Sequence, residues 1–91
     1  MAFNDIHNAV SDMLNDMDIA DFFDGVVQQH NDTLYDVVID GHGKHAVIRI
    51  EYLKNFSEIE AKIIEFHRMS PLFAQLLLEN LVIQINPDFY A

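Results

Sequence analysis

Residues 33–53 leave this chain the fewest choices. Thr33–Asp40 and His45–Leu53 are rich in β-branched and aromatic residues, and Gly41-His42-Gly43-Lys44 separates them. Two such runs joined by a glycine-containing loop of four residues predict a β-hairpin, 33–40 against 45–53. Its register follows from the partners. With Asp40 opposite His45, Ile39 meets Ala46, Val37 meets Ile48, Tyr35 meets Ile50 and Thr33 meets Tyr52. On the other face Asp36 meets Arg49, an opposite-charge pair. A slip of one residue would send the apolar set to the solvent face and break the charge pair.

The rest of the chain is built round that hairpin. Phe3, Ile6, Val10, Met13, Leu14 and Met17 recur at helical spacing, which predicts a helix within 3–23. Asn4 or Asp5 is its expected cap, Asp18 the cap of a second short piece carrying Ile19, Phe22 and Phe23, and Gly25 its end. Residues 26–30 read as a short strand, with a turn at Asn31-Asp32. Ser57-Glu58-Ile59-Glu60 has the form of a capping box with Phe56 as its staple, which predicts a helix to about Met69 burying Ile59, Ile63, Ile64 and Phe66. Ser70-Pro71 opens another helix, ending near Asn80. Leu81–Ile85, rich in β-branched residues and followed by Pro87, reads as a last strand. The expected order is α-β-β-β-α-α-β. That is an α+β fold with an N-terminal amphipathic helix, an antiparallel sheet built on the hairpin 33–40/45–53, two C-terminal helices and a final strand. Ninety-one residues make one domain, 1–91.

With 51% hydrophobic residues the chain can pack a core despite its charge. It has no cysteine, hence no disulfide framework and no thiolate chemistry. Met1–Asp5 shows neither the basic nor the apolar region of a secretory signal, and no apolar run is long enough for a bilayer. A cytoplasmic protein without a membrane partner is expected.

Charge supplies the functional lead. Residues 1–43 hold nine aspartates and no Lys, Arg or Glu, whereas residues 44–91 hold five basic and six acidic residues. Of the net charge of -10, the first stretch therefore carries -9 and the second -1. Such a surface is repelled by nucleic acid and by anionic lipid, and attracted to basic protein surfaces. On a helix Asp5, Asp12 and Asp16 fall within about 40° of one another, opposite the apolar stripe, at rises of roughly 10 Å and 6 Å. Asp18, Asp21 and Asp24 continue the acidic surface, and Asp36 and Asp40 lie on the outer face of the hairpin. Aspartate is a poorer helix former than glutamate, yet only aspartate is used, and no basic residue interleaves to offset repulsion. Short side chains hold their carboxylates near the backbone, as an imitation of a phosphate backbone requires. A solvated acidic face without a partner is the competing reading. Asp36, facing Arg49, is partly neutralised in either case.

Other chemistry is weakly signalled. Asp40, His42 and His45 cluster at the hairpin tip, but the spacing does not force convergence and no further ligand pair is evident, so turn chemistry is favoured over a metal site. His7, His30 and His67 are scattered. Of the serines, Ser57 and Ser70 read as caps, and Ser11 has no histidine and acid at a recognisable spacing. No enzyme, cofactor or metal is expected. Phe22, Phe23, Leu78, Leu81, Phe89 and Tyr90 exceed what a small core needs, which predicts a homodimer interface.

In size, lack of cysteine and the layout of Asp5, Asp12, Asp16, Asp18, Asp21, Asp24, Asp36 and Asp40, the chain resembles the small acidic DNA-mimic proteins, many of them phage-encoded anti-restriction inhibitors. These share no fold or sequence signature, so no residue role carries over. The resemblance implies a competitive, non-enzymatic blocker acting in the host-cell cytoplasm. Its partner is a basic nucleic-acid-binding protein, such as a restriction enzyme or another defence factor, and not nucleic acid itself. The alternative is a small assembly subunit that docks through its apolar C-terminal half.

Overall fold

The computed structural model describes residues 2–85. Helix α1 (Ala2–Asp16) is followed by strands β1 (Asp24–Gln29), β2 (Leu34–Gly41), β3 (Lys44–Leu53) and β4 (Glu58–His67), and by helix α2 (Pro71–Ile85). The four strands form one antiparallel meander in the order β1-β2-β3-β4. Both helices contribute to a single core against one face of the sheet. Ile6, Ala9, Val10, Met13 and Leu14 of α1 and Ala74, Leu77 and Leu81 of α2 meet Tyr35, Val37, Ile39, Ala46, Ile48 and Ile50 there. The opposite face is uncovered.

The β2–β3 pairing has the expected register: Asp40 lies opposite His45, Ile39 opposite Ala46, Val37 opposite Ile48, Tyr35 opposite Ile50 and Asp36 opposite Arg49. Thr33 is drawn in as well, its carbonyl accepting a hydrogen bond from the Tyr52 amide at 2.8 Å.

The C-terminal half overturns the expected order, which is α-β-β-β-β-α. Residues 58–67 form strand β4, not a helix, so there are no two C-terminal helices. Ile59, Ala61 and Ile63 alternate with Glu58, Glu60 and Lys62, a period of 2 that competes with the helical spacing of Ile59, Ile63 and Ile64. The open edge of β3 decides between them, because a strand there satisfies a whole row of backbone groups that a helix would leave unpaired. A register shift between Val47 and Ile48 then changes the phase of the alternation. Ser57 is no helix cap; its hydroxyl donates to the Lys54 carbonyl at 2.7 Å inside the β3–β4 turn.

The expected last strand is also corrected. Residues 81–85 continue α2. Asn80 does not stop the helix, since its side-chain amide donates back to the Leu76 carbonyl at 2.8 Å. Ser70 does cap α2, its hydroxyl accepting from the Phe73 amide at 3.1 Å.

At the other end, α1 starts at Ala2, upstream of the expected caps, which puts Asp5 in its first turn. It ends at Asp16 rather than near Gly25. Asp18 is not a second cap. The Ile19 amide donates to the Leu14 carbonyl at 2.9 Å and the Asp18 amide to the Asn15 carbonyl at 3.0 Å, with Asp18 at φ 60. This is a Schellman termination with Asp18 in the left-handed position that glycine prefers. Asp18→Gly should therefore raise stability by about 1 kcal/mol in urea denaturation; a loss would show that the Asp18 side chain itself holds the helix end. Gly25 instead lies in β1, where a Cβ would collide with Val10 of α1, so the missing side chain lets helix and sheet approach closely.

Candidate functional site

β1 and β4 are the two edges of the sheet, and the two helices meet over its inner face. α1 packs beside β1, and α2 beside β4.

Asp5, Asp12, Asp16, Asp18, Asp21, Asp24 and Asp40 are all exposed. The unbroken helix keeps Asp5, Asp12 and Asp16 exposed along one flank, since Ile6, Val10, Met13 and Leu14 take the buried side. Asp18 and Asp21 project from the segment joining α1 to β1. Asp24 lies directly across from Asp40, two carboxylates on the outer face with Cβ atoms about 5 Å apart by the geometry of an antiparallel pair. Among the described residues, none of these seven makes an ion pair. Asp16 is the one with a tertiary tie, accepting a hydrogen bond from the Gln84 side chain of α2. The charge of Asp5 is felt at Tyr52, whose phenol is pushed above its ordinary value first by burial and then by that aspartate.

Asp36 does not belong to this exposed set. It is 6% exposed. Arg49 grips it bidentately, Nε donating to Oδ1 at 2.9 Å and Nη2 to Oδ2 at 3.0 Å. His30 Nε2 lies 2.7 Å from Oδ2. A carboxylate only accepts, so His30 presents a protonated Nε2 to it. The Arg49 hydrogen bond holds the Asp36 carboxyl below its ordinary range, against the upward push of burial and with further help from His30. Asp36 is thus a structural anion on the outer face. Its partner His30 was not legible in the sequence, because the contact depends on the turn between β1 and β2. Asn31 shapes that turn, its Oδ1 accepting from the amides of Thr33 at 2.9 Å and Leu34 at 3.0 Å.

The residues at the hairpin tip do not converge. His42, at φ 54, rests its ring 5.6 Å from that of Phe22, while His45 turns to Glu65 at 3.0 Å. Among the described residues no three His, Asp or Glu side chains are placed to hold a metal ion.

Of the basic residues, Lys44 and Arg68 lie close to the acidic segment, lining one pocket with Ile19, Phe22 and Phe23. Arg49 is consumed by Asp36, and Lys54 pairs with Glu58 at 2.9 Å. Lys44 reaches the carbonyl of Arg68. Lys62 is exposed on β4.

Of the apolar surplus, Phe23 is buried with its ring 5.8 Å from Phe73, and Leu81 is wholly buried. Leu78 is half-buried, Phe22 is exposed, and Phe89 and Tyr90 lie outside the described residues. Among the described residues, the exposed large apolar side chains of the second half are Phe56 in the β3–β4 turn, Ile64 and Phe66 on β4, and Leu72, Leu76 and Ile83 on α2. No helix among the described residues is long and apolar enough to cross a membrane. Comparison of the chain with models of known protein families, with curated proteins and with solved structures returned no match.

Proposed function

We propose that this chain is a nucleic-acid mimic, whose acidic side occupies the basic nucleic-acid-binding surface of another protein and blocks it by competition. One observation carries the reading. Seven exposed aspartates carry no ion pair among the described residues, and two of them, Asp24 and Asp40, face each other across neighbouring strands. A monomer gains nothing from such repulsion, whereas a cationic partner relieves it. No reaction is involved. Binding rests on charge complementarity and electrostatic steering, so it weakens steeply with salt. The partner is a basic nucleic-acid-binding protein such as a restriction enzyme or another defence factor, met in the cytoplasm.

The test is capture from a cytoplasmic lysate at low and high salt, with the bound proteins identified and then challenged with duplex DNA. Capture of a nucleic-acid-binding protein that both salt and DNA release is the expected result. Asp12→Asn with Asp21→Asn should weaken that capture roughly tenfold, and Glu58→Gln with Glu79→Gln, the same change of charge off the acidic side, less than about twofold. Equal effects of the two pairs would sink the localised mimic.

A second reading, an assembly subunit docking through the apolar C-terminal half, is favoured by the exposure of Leu72 and Leu76 on α2. It calls for capture that resists salt and fails on Leu72→Asp. Leu81 cannot test it, because that side chain is buried in the core.

A further inference from the structure

The β4 edge of the sheet has its own unsatisfied pattern. β4 is ten residues long and, among the described residues, pairs with β3 alone. An exposed strand edge of that length is a template for another strand unless it is blunted. Across the existing pair its charges are mismatched. Lys62 lies opposite Arg49, and Glu60 opposite Glu51, like against like. Glu60 and Lys62 are both exposed, and neither makes an ion pair among the described residues.

We propose that β4 pairs antiparallel with β4 of a second copy about a two-fold axis through Ala61, joining two four-stranded sheets into one of eight strands. An isologous antiparallel pairing places each residue opposite the one equally far from the axis on the other side. Centred on Ala61, it sets Glu60 against Lys62 of the copy, and Lys62 against Glu60, on the outer face. On the inner face Ile59 meets Ile63, and Ala61 meets itself. Both faces are satisfied at once, opposite charges on one and apolar partners on the other. Centring the axis on Glu60 or Lys62 instead would put a charge against itself.

The layer beneath agrees with the same axis. A groove of about 520 Å³ runs between β4 and α2, lined by the apolar Ile59, Ala61, Leu78, Val82 and Ile83 and edged by Gln75 and Glu79. It lies over the residue on the axis, so the two copies bring their grooves face to face and cover these side chains mutually. The other edge does not suit a copy. β1 is six residues long and carries one charge, Asp24, with no basic residue in the strand to set against it. Pairing through β4 also leaves an acidic side free at each end of the dimer, so the inference stands or falls independently of the proposed function.

Sedimentation of the full-length chain over a range of concentrations tests it, with circular dichroism as a check on folding. The wild type is expected as a dimer. Glu60→Lys and Lys62→Glu should each raise the dissociation constant roughly tenfold or more, since each turns two attractions across the axis into repulsions. Neither change should unfold the monomer, because each replaces a like-charge pair with β3 by an opposite-charge one. The double variant Glu60→Lys/Lys62→Glu should dimerise like the wild type. A wild type that stays monomeric at every concentration, single variants that dimerise unchanged, or a double variant that remains monomeric would each overturn the proposal.

Discussion

Gly41→Ala is expected to destabilise the fold by about 3 kcal/mol, read as a shift in urea denaturation. A Cβ at this position would run into the carbonyl oxygen of Phe22, with the Phe22 carbonyl carbon and Phe23 Cα also too near. These are backbone atoms and cannot rotate aside. Either the end of β2 leaves its ladder with β3, or the segment joining α1 to β1 lifts away. Lifting would cost the contact of Phe22 with His42 and that of buried Phe23 with Phe73. It would also release Asp18 and Asp21, so Gly41→Ala should speed amide exchange in residues 19–24. Gly25→Ala is the contrast. There the obstruction is a γ-methyl of Val10 rather than backbone; that side chain is buried and stiff at χ1, so relief requires a small outward shift of α1, and the expected cost is about 2 kcal/mol. Equal losses for the two would mean that the approach of the Phe22 backbone is not what requires glycine at 41.

Arg49→Ala is expected to cost about 2 kcal/mol at neutral pH, because it strands the buried Asp36 carboxylate without its bidentate partner. The dependence on pH carries the diagnosis. In the wild type the folded carboxyl titrates below its ordinary value of 3.8, mainly because of the Arg49 hydrogen bond. A group lowered in this way adds stability that is complete above the unfolded value and disappears as the pH falls through the folded one. In Arg49→Ala the largest lowering cause is gone, while burial still pushes upward. The stability gap between the two proteins should therefore be full above the variant's folded value and close as the pH falls through the lower folded value of the wild type. Comparing the pair at each pH cancels the titration of the other carboxylates. A gap that does not change with pH would assign the loss to the packing of the Arg49 stem rather than to its charge.

These two sites differ in how far the sequence announces them. The facing of Asp36 and Arg49 follows from alternation alone, because one register satisfies both faces of the hairpin. Nothing in the residue pattern announces that the Phe22 backbone closes on Gly41, or that His30 adds a third member to the charge cluster. Both contacts join segments separated by turns whose geometry is set elsewhere. The acidic side is intermediate. The charge count locates it in the first half of the chain, but that Asp24 faces Asp40, and that Lys44 and Arg68 come up against the 19–23 segment, depends on the tertiary fold.

What the sequence determined by itself is local and periodic: the α1 stripe, the 33–53 hairpin with its register, and the cap at Ser70. These hold because each is specified by neighbours in the chain or by a pairing with only one workable partner. What the tertiary structure alone decided is the state of residues 58–67 and 81–85. Ile59, Ile63, Ile64 and Phe66 satisfy a helical period as readily as Ile59, Ala61 and Ile63 satisfy a strand, so intrinsic pattern does not choose. The open edge of β3 chooses, because a strand laid there pairs a row of backbone donors and acceptors. With that segment taken into the sheet, the apolar run from Leu76 to Ile85 continues as a helix over the remaining inner face, where Leu77 and Leu81 are buried.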